Sequence, residues 1–206
     1  MFDSETIDPL FSFVFWFVMV GWFVFGFAFV FRKRPKASTK RVRTNRSLWG
    51  VLLMGIGMFL VWRIRRPMGL AFIPNSVEAS YVLDVAACCL TIGSVWLILA
   101  AIRLLGKQWS VRATLVEHHE LITSGPYALV RHPIYAGIFG MMMATGIANG
   151  YWYVLLAAMG FSLMGILLRI REEEKLLQAT FGTAFEAYRG SVPALLPRVR
   201  STRHVA

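Results

Sequence analysis

The run His119-Glu-Leu-Ile-Thr-Ser-Gly-Pro-Tyr-Ala-Leu-Val-Arg-His-Pro-Ile-Tyr-Ala-Gly137 leads into an apolar hairpin that ends at Arg169-Ile-Arg-Glu-Glu-Glu-Lys-Leu-Leu-Gln-Ala-Thr-Phe-Gly182. Pro133 to Ile147 is one apolar run and Tyr151 to Ile170 is the next, with a tight turn at Asn149 and Gly150 between them. Both ends of the chain segment that flank this hairpin are polar and ionisable. Charges in or beside a bilayer span are costly, so such a cluster marks a functional site.

The rest of the chain reads as a scaffold for that site. Its 206 residues are 57% hydrophobic, with a mean hydropathy of +0.58. A soluble domain of this length has too little interior for so much apolar sequence, which implies an all-α integral membrane protein. Three further apolar runs precede the hairpin: Pro9 to Phe31, the shorter Leu48 to Trp62, and Tyr81 to Leu105. About five spans are therefore expected, each needing roughly 20 apolar residues. Residues 1–118 form the scaffold of three spans, and residues 119–206 form the catalytic region of a two-span hairpin and a polar tail. The first span is crowded with Phe and is expected to face lipid.

The formal net charge is +11. In a soluble chain this would suggest nucleic acid, but here the positive-inside rule accounts for it. Asp3, Glu5 and Asp8 precede the first span, and the basic segment 32–46 follows it. That arrangement puts the N-terminus outside and the basic loop, the 119–131 segment and the C-terminal tail in the cytoplasm. A prokaryotic inner membrane is the expected location. Arg63, Arg65 and Arg66 are then the bases left outside, and snorkelling or a shallow second span would accommodate them. Cys88 and Cys89 are adjacent and have no metal-ligand spacing, so buried structural thiols and no metal site are expected.

At the hairpin, His132-Pro133 places Pro at the first helical position, where its missing N–H costs nothing. A helix N-terminus favours an anion, and Arg131 and His132 add donors there. Read in isolation, Arg131 and His132 are also ordinary headgroup anchors. Arg169 and Glu173 lie four apart on one helix face, as do Ile170 and Glu174. The two-residue turn brings both sets together, offering cation-binding and anion-binding groups in one place. Ala136, Gly140, Ala144 and Ala148 recur every fourth residue and let another backbone approach closely.

The segment from His119 to Pro197 resembles the isoprenylcysteine carboxyl methyltransferase family and the related membrane phospholipid methyltransferases. The resemblance rests on His119, Leu121, Gly125-Pro-Tyr127, Arg131-His-Pro-x-Tyr135-x-Gly137, Arg169, Glu173-Glu174, Leu177, Phe181-Gly182, Tyr188 and Val192-Pro193 through Pro197. Residues 1–118 carry no such resemblance, and Phe185 stands where the family usually has Tyr. The resemblance implies S-adenosylmethionine bound at the cytoplasmic membrane face and methyl transfer to a lipophilic acceptor arriving from the bilayer. It implies a cofactor cradle of His119, Leu121, Gly125, Pro126, Tyr127, Arg131, His132, Tyr135 and Glu173, with Arg169 and Glu174 as the charged pair at the reacting end. No Gly-x-Gly-x-x-Gly follows a strand, consistent with a cofactor site unlike the soluble dinucleotide fold.

On that resemblance, the methionine carboxylate would sit at the helix start with Arg131, and Glu173 would accept from the ammonium or ribose hydroxyls. Tyr127 and Tyr135 would face the sulfonium. A carboxylate acceptor would need Arg169 for placement and no base, whereas an amine acceptor would need Glu174 to take its proton. Phospholipid headgroup N-methylation, an NADPH-dependent membrane reductase and a non-catalytic lipid-binding protein are the alternatives. The oligomeric state is left open. The topology makes a direct prediction: in intact cells, an impermeant thiol reagent labels a cysteine introduced at Ser4 and spares one introduced at Ser201. The reverse pattern rejects it.

Overall fold

A computed structural model describes residues 8–30, 45–67, 70–73, 76–106 and 121–197. Seven helices cover most of these: α1 (Pro9–Val30), α2 (Asn45–Arg63), α3 (Val77–Leu105), α4 (Pro126–Leu129), α5 (Pro133–Asn149), α6 (Trp152–Phe181) and α7 (Thr183–Ser191). The chain is an all-α membrane protein. Three helices, α1, α3 and α6, are long and apolar enough to cross a bilayer. The expected second run is the shorter α2, and α5 has 17 residues. Helix α5 is central: it packs against α1, α2, α3 and α6, while α2 lies along α6 and α3 along both α1 and α5.

Small residues set these approaches. On α5, a side chain at Gly137 would strike Ile98 and the Ser94 carbonyl, and one at Gly140 would strike the Ser94 hydroxyl. Gly140 and Ala144 of the predicted stripe thus do face a neighbour, and Ala144 is fully buried beside Ala87 and Val18. Without a hydrophobic force between helices in lipid, such close van der Waals contact is a main source of association. Helix α1 only partly matches the lipid-facing expectation. Phe13, Trp16, Phe23 and Phe27 are exposed, but Phe11, Val14, Phe15 and Val18 are buried, and Trp22 Nε1 donates to Thr145 Oγ1 of α5 at 2.8 Å. The indole N–H needs a partner when withdrawn from water, and a single face of Phe residues fills the groove beside it.

One end of the bundle carries the start of α1. There the Tyr81 hydroxyl donates to Asp8 at 2.7 Å, tying the start of α3 to the start of α1. The same end holds the three arginines that the charge count left outside. Arg63 and Arg65 are exposed, as a snorkelling cation would be, but Arg66 is buried. Its guanidinium donates through Nε to the Gly150 carbonyl at 2.7 Å, through Nη2 to Ile147 at 2.6 Å and through Nη1 to Leu70 at 2.5 Å. Its backbone N–H donates to Asn149 at 2.8 Å. The last carbonyls of a helix have no partner of their own, and a hairpin turn at membrane depth cannot leave them bare. Arg66 supplies that partner, so it is a structural cap for the α5–α6 turn.

Arg66→Ala is therefore expected to lower the unfolding free energy by about 3 kcal/mol, since several buried carbonyls lose a charged donor. Arg65→Ala, at an exposed side chain, should stay within about 0.5 kcal/mol. Unfolding of the purified protein in detergent measures both, and equal effects would show that Arg66 is no cap.

Candidate functional site

The opposite end of the bundle gathers the start of α5, the end of α6 and the segment that follows. Gly125 has φ +57°, a left-handed conformation that costs glycine nothing, and it turns the chain from 121–124 into the single turn of α4. Leu121 is half-buried just before it, and Pro126 and Tyr127 are buried within it. His119 lies outside the described residues. Pro133 then opens α5 at its first position, with His132 in the capping place and making no side-chain cap of its own. At the far end of α6, Gly182 has φ +51° and lets the chain break after Phe181 and turn back as α7.

That turn returns the tail to the start of α5. The backbone N–H groups of Arg131 and His132 donate to the carbonyls of Pro193 at 2.8 Å and Ala194 at 3.0 Å. The Tyr188 hydroxyl donates to the Tyr127 carbonyl at 2.6 Å, and burial pushes its phenol up to about 12, so it stays a donor at ordinary pH. Phe185, where the family usually has Tyr, is fully buried and meets the Tyr188 ring edge-on with centroids 6.4 Å apart. A phenyl group suits that apolar position.

The three consecutive glutamates of α6 point to different partners. Glu172 is buried and takes Lys175 at 2.8 Å. Glu173 accepts from the Tyr135 hydroxyl, and its Oε1 lies 3.4 Å from Arg169 Nη2. Arg169 Nε donates to the same Tyr135 hydroxyl at 2.7 Å, with its guanidinium 5.5 Å from the Tyr135 ring centroid. Glu174 Oε1 accepts from Arg131 Nε at 2.9 Å and Nη2 at 2.7 Å, and lies 3.2 Å from His132 Nε2. Its Oε2 is 3.7 Å from Arg189. The His132 ring spans both carboxylates, with Nδ1 3.7 Å from Glu173. Helical geometry explains the split, because adjacent residues are about 100° apart and cannot share a face.

The described residues among those expected thus come together, but they depart from expectation in three respects. Glu174, expected beside Arg169, is grouped with Arg131, His132 and Arg189, and it is Glu173 that joins Arg169 through Tyr135. Arg131, expected to meet a ligand carboxylate, spends Nε and Nη2 on Glu174 and Nη1 on the Arg189 carbonyl at 3.2 Å and on the Val192 carbonyl. A planar guanidinium has a fixed fork of donors, and bidentate use on one carboxylate directs the rest towards the tail. Tyr127, expected to offer its ring, is buried and held by its carbonyl. Four residues given no role by the sequence reading matter here. Tyr188 and Val192-Pro193 were visible as motif positions, but their latch to 127–132 depends on the Gly182 turn. Gln178, one turn beyond Glu174, donates to Glu186 at 2.8 Å, and its Oε1 is buried without a hydrogen-bond partner among the described residues.

Glu174→Gln should loosen this latch by about 1.5–3 kcal/mol and Tyr188→Phe by about 1 kcal/mol, the usual loss for a charged and a neutral hydrogen bond. Limited proteolysis of residues 189–197 should then run roughly tenfold faster in Glu174→Gln, with helix content unchanged by circular dichroism. Cleavage at the parent rate would show that the carboxylate does not hold the tail.

Residues 85–179, from within α3 to near the end of α6, match the family model described as the isoprenylcysteine carboxyl methyltransferase (ICMT) family. The fission yeast Schizosaccharomyces pombe protein-S-isoprenylcysteine O-methyltransferase is 38% identical over 84 residues, covering 39% of this chain and 34% of that protein. The nickel-cobalt-cadmium resistance protein NccN of Alcaligenes xylosoxydans xylosoxydans is 30% identical over 117 residues, 56% of this chain and 53% of its own. The cobalt-zinc-cadmium resistance protein CzcN of Cupriavidus metallidurans is likewise 30% identical over 117 residues, 56% of this chain and 52% of its own. The chain spans about half the length, or less, of the curated relatives it matches.

Proposed function

We propose that this protein is a membrane-embedded methyltransferase that uses S-adenosylmethionine to methylate a lipophilic acceptor, most simply the carboxylate of an isoprenylcysteine-like or other lipidic acid. The observation that carries this reading is the linked set Arg169, Tyr135 and Glu173 beside His132, at one end of a membrane hairpin in a region of the isoprenylcysteine carboxyl methyltransferase family. The five apolar helices α1, α2, α3, α5 and α6 are read as the spans, with the N-terminus outside and this site at the cytoplasmic face of an inner membrane.

The donor and acceptor set fits the cofactor's chemistry. An ammonium and ribose hydroxyls need acceptors, and Glu173 and the unpartnered Gln178 Oε1 supply them. The cofactor's carboxylate suits the start of α5, where backbone donors and His132 favour negative charge. Leu121, Gly125, Pro126 and Tyr127 wall the same end, and His119 belongs with them by its place in the motif. Arg131 serves this cradle by fixing the tail over it. When bound, the cofactor supplies a methyl group made electrophilic by its sulfonium.

Arg169 then holds the acceptor. A guanidinium fork pairs with a carboxylate in two parallel hydrogen bonds, which aligns its oxygen for in-line displacement. Such an acceptor arrives ionised and needs no proton removed. Opposite charges meet and vanish in this transfer, so a site shielded by α6 and the tail helps by excluding water. The grouping of Glu174 with Arg131, His132 and Arg189 favours the carboxylate over an amine, since a carboxylate engaged by two guanidinium groups and an imidazole is badly placed to take a proton beside Arg169.

Titrating the purified protein with S-adenosylmethionine, and separately with NADPH, tests the cofactor. Binding of NADPH alone would indicate a reductase, and binding of neither a lipid-binding protein. Glu173→Gln should weaken S-adenosylmethionine binding by about 1.5–3 kcal/mol, the cost of one charged hydrogen bond. Arg169→Ala should abolish turnover of a lipidic carboxylate. The wild-type rate should be nearly flat from about pH 6 to 8, because an unperturbed carboxyl group ionises near 4 and is already charged. A rate that climbs through that range, with label recovered in amine headgroups, would favour phospholipid N-methylation.

A further inference from the structure

Helix α2 lies outside the region that matches the family, yet it reaches the reacting end. It runs antiparallel to α6 with small residues in register: Gly50 faces Gly165, and Gly57 faces Ala158, each pair separated from the other by seven residues, or two helical turns. At both levels backbone meets backbone. A Cβ at Gly165 would lie 2.5 Å from the Gly50 carbonyl and 2.9 Å from Met54 Cγ. A Cβ at Gly57 would lie 2.6 Å from the Ala158 carbonyl and would strike the Ser162 hydroxyl.

The two levels differ in one respect. A Cβ at Gly50 would lie 2.6 Å from Arg169 Cγ, 3.5 Å from Arg169 Cδ and 2.7 Å from the Gly165 carbonyl. The aliphatic stem of Arg169 therefore rests on the bare backbone of α2, whereas the atoms nearest a Cβ at Gly57 belong to Ser162 and Ala158. Arg169 is buried, and its head donates to Tyr135 at 2.7 Å. A long side chain with several rotatable bonds keeps one orientation only when its stem is packed as well as its head. The Gly50 surface is that packing on the α2 side.

We propose that Gly50 is a positioning residue for Arg169: its missing side chain lets the Arg169 stem lie flat against α2 and so aims the guanidinium at Tyr135, Glu173 and the incoming acceptor. The scaffold half of the chain then helps build the reacting end. This rests on the reading of Arg169 as the group that holds the acceptor.

The test uses the full-length protein in detergent with Gly50→Ala, Gly57→Ala and Arg169→Ala, alone and with each glycine variant combined with Arg169→Ala. Unfolding midpoints are measured for all, S-adenosylmethionine affinity by calorimetry, and kcat and KM with an S-prenylated N-acetylcysteine and radioactive methyl donor. Both glycine variants press α2 from α6 and should lose stability. Only Gly50→Ala should be relieved by Arg169→Ala, because only there does truncation remove one of the clashing groups. Should Gly50→Ala alone fail to fold, recovery of folded protein in the double variant is the same result.

Per folded molecule, Gly50→Ala should lose roughly tenfold to 100-fold in kcat/KM for the acceptor, the scale of a small misplacement, while its cofactor affinity is kept. Gly57→Ala should retain kcat/KM within about twofold, since its interface is remote from the reacting group. Additive stability effects at 50 and 169, or equal turnover in the two glycine variants, overturn the proposal. An active Arg169→Ala variant would instead sink the assignment of Arg169, and the proposal with it. It is recognisable because stability coupling between 50 and 169 would persist without any loss of turnover.

Discussion

The arrangement depends on one requirement: the carboxylates near the end of α6 must be paired. Removing a charge from water costs several kcal/mol unless good geometry and added hydrogen bonds repay it. Glu174 meets that requirement with three partners from two places: Arg131 and His132 before α5, and Arg189 on α7. One carboxylate thereby joins both arms of the hairpin to the tail. Because Arg131 also reaches the Arg189 and Val192 carbonyls, and its backbone meets Pro193, the tail has a fixed seat across the start of α5. Removing Arg131 would leave the Glu174 carboxylate largely buried with less compensation, which is why these residues act as a unit.

With Glu174 engaged by Arg131, His132 and Arg189, Glu173 turns to Tyr135 and Arg169. The two share a helix but differ in direction by the pitch of one residue. Glu173 meets Arg169 directly and through Tyr135, so one phenol links an anion and a cation. Two carboxylates adjacent on one helix thus sit in different environments. The same logic explains Glu172, which is turned to Lys175 on a third side.

The opposite end of the bundle shows the same physics with a different cation. Arg66 satisfies the carbonyls where α5 stops, and its guanidinium also lies 5.2 Å from the Phe72 ring centroid. The hairpin is thus tied at both ends by buried arginines. Between them, backbones touch through Gly137, Gly140, Gly57 and Gly165, so neither helix can slide without meeting a side chain. On the far side of α6, α2 packs at Gly50 against the Arg169 stem.

Apolar runs and their lengths determined the helices, because a bilayer admits a span only if its backbone is satisfied within itself. The two-residue turn at Asn149 and Gly150 determined that Arg131, His132, Tyr135, Arg169, Glu173 and Glu174 would meet, since a tight antiparallel hairpin leaves no alternative. The sequence also showed Gly125 and Gly182 in a motif, and both prove to be left-handed turns. Only the tertiary structure decided who pairs with whom. Spacing along α6 put Glu173, four residues on, beside Arg169, whereas the resemblance paired Arg169 with Glu174; the packing of α6 on α5 turned Glu174 to Arg131 and His132 instead. The burial of Arg66 beside two exposed neighbours was equally hidden, because charge counting weighs three arginines alike. The contact of Gly50 with Arg169 joins residues 119 positions apart, and no local pattern encodes it. It arises from the register in which α2 lies on α6, which side-chain packing along both helices fixes together.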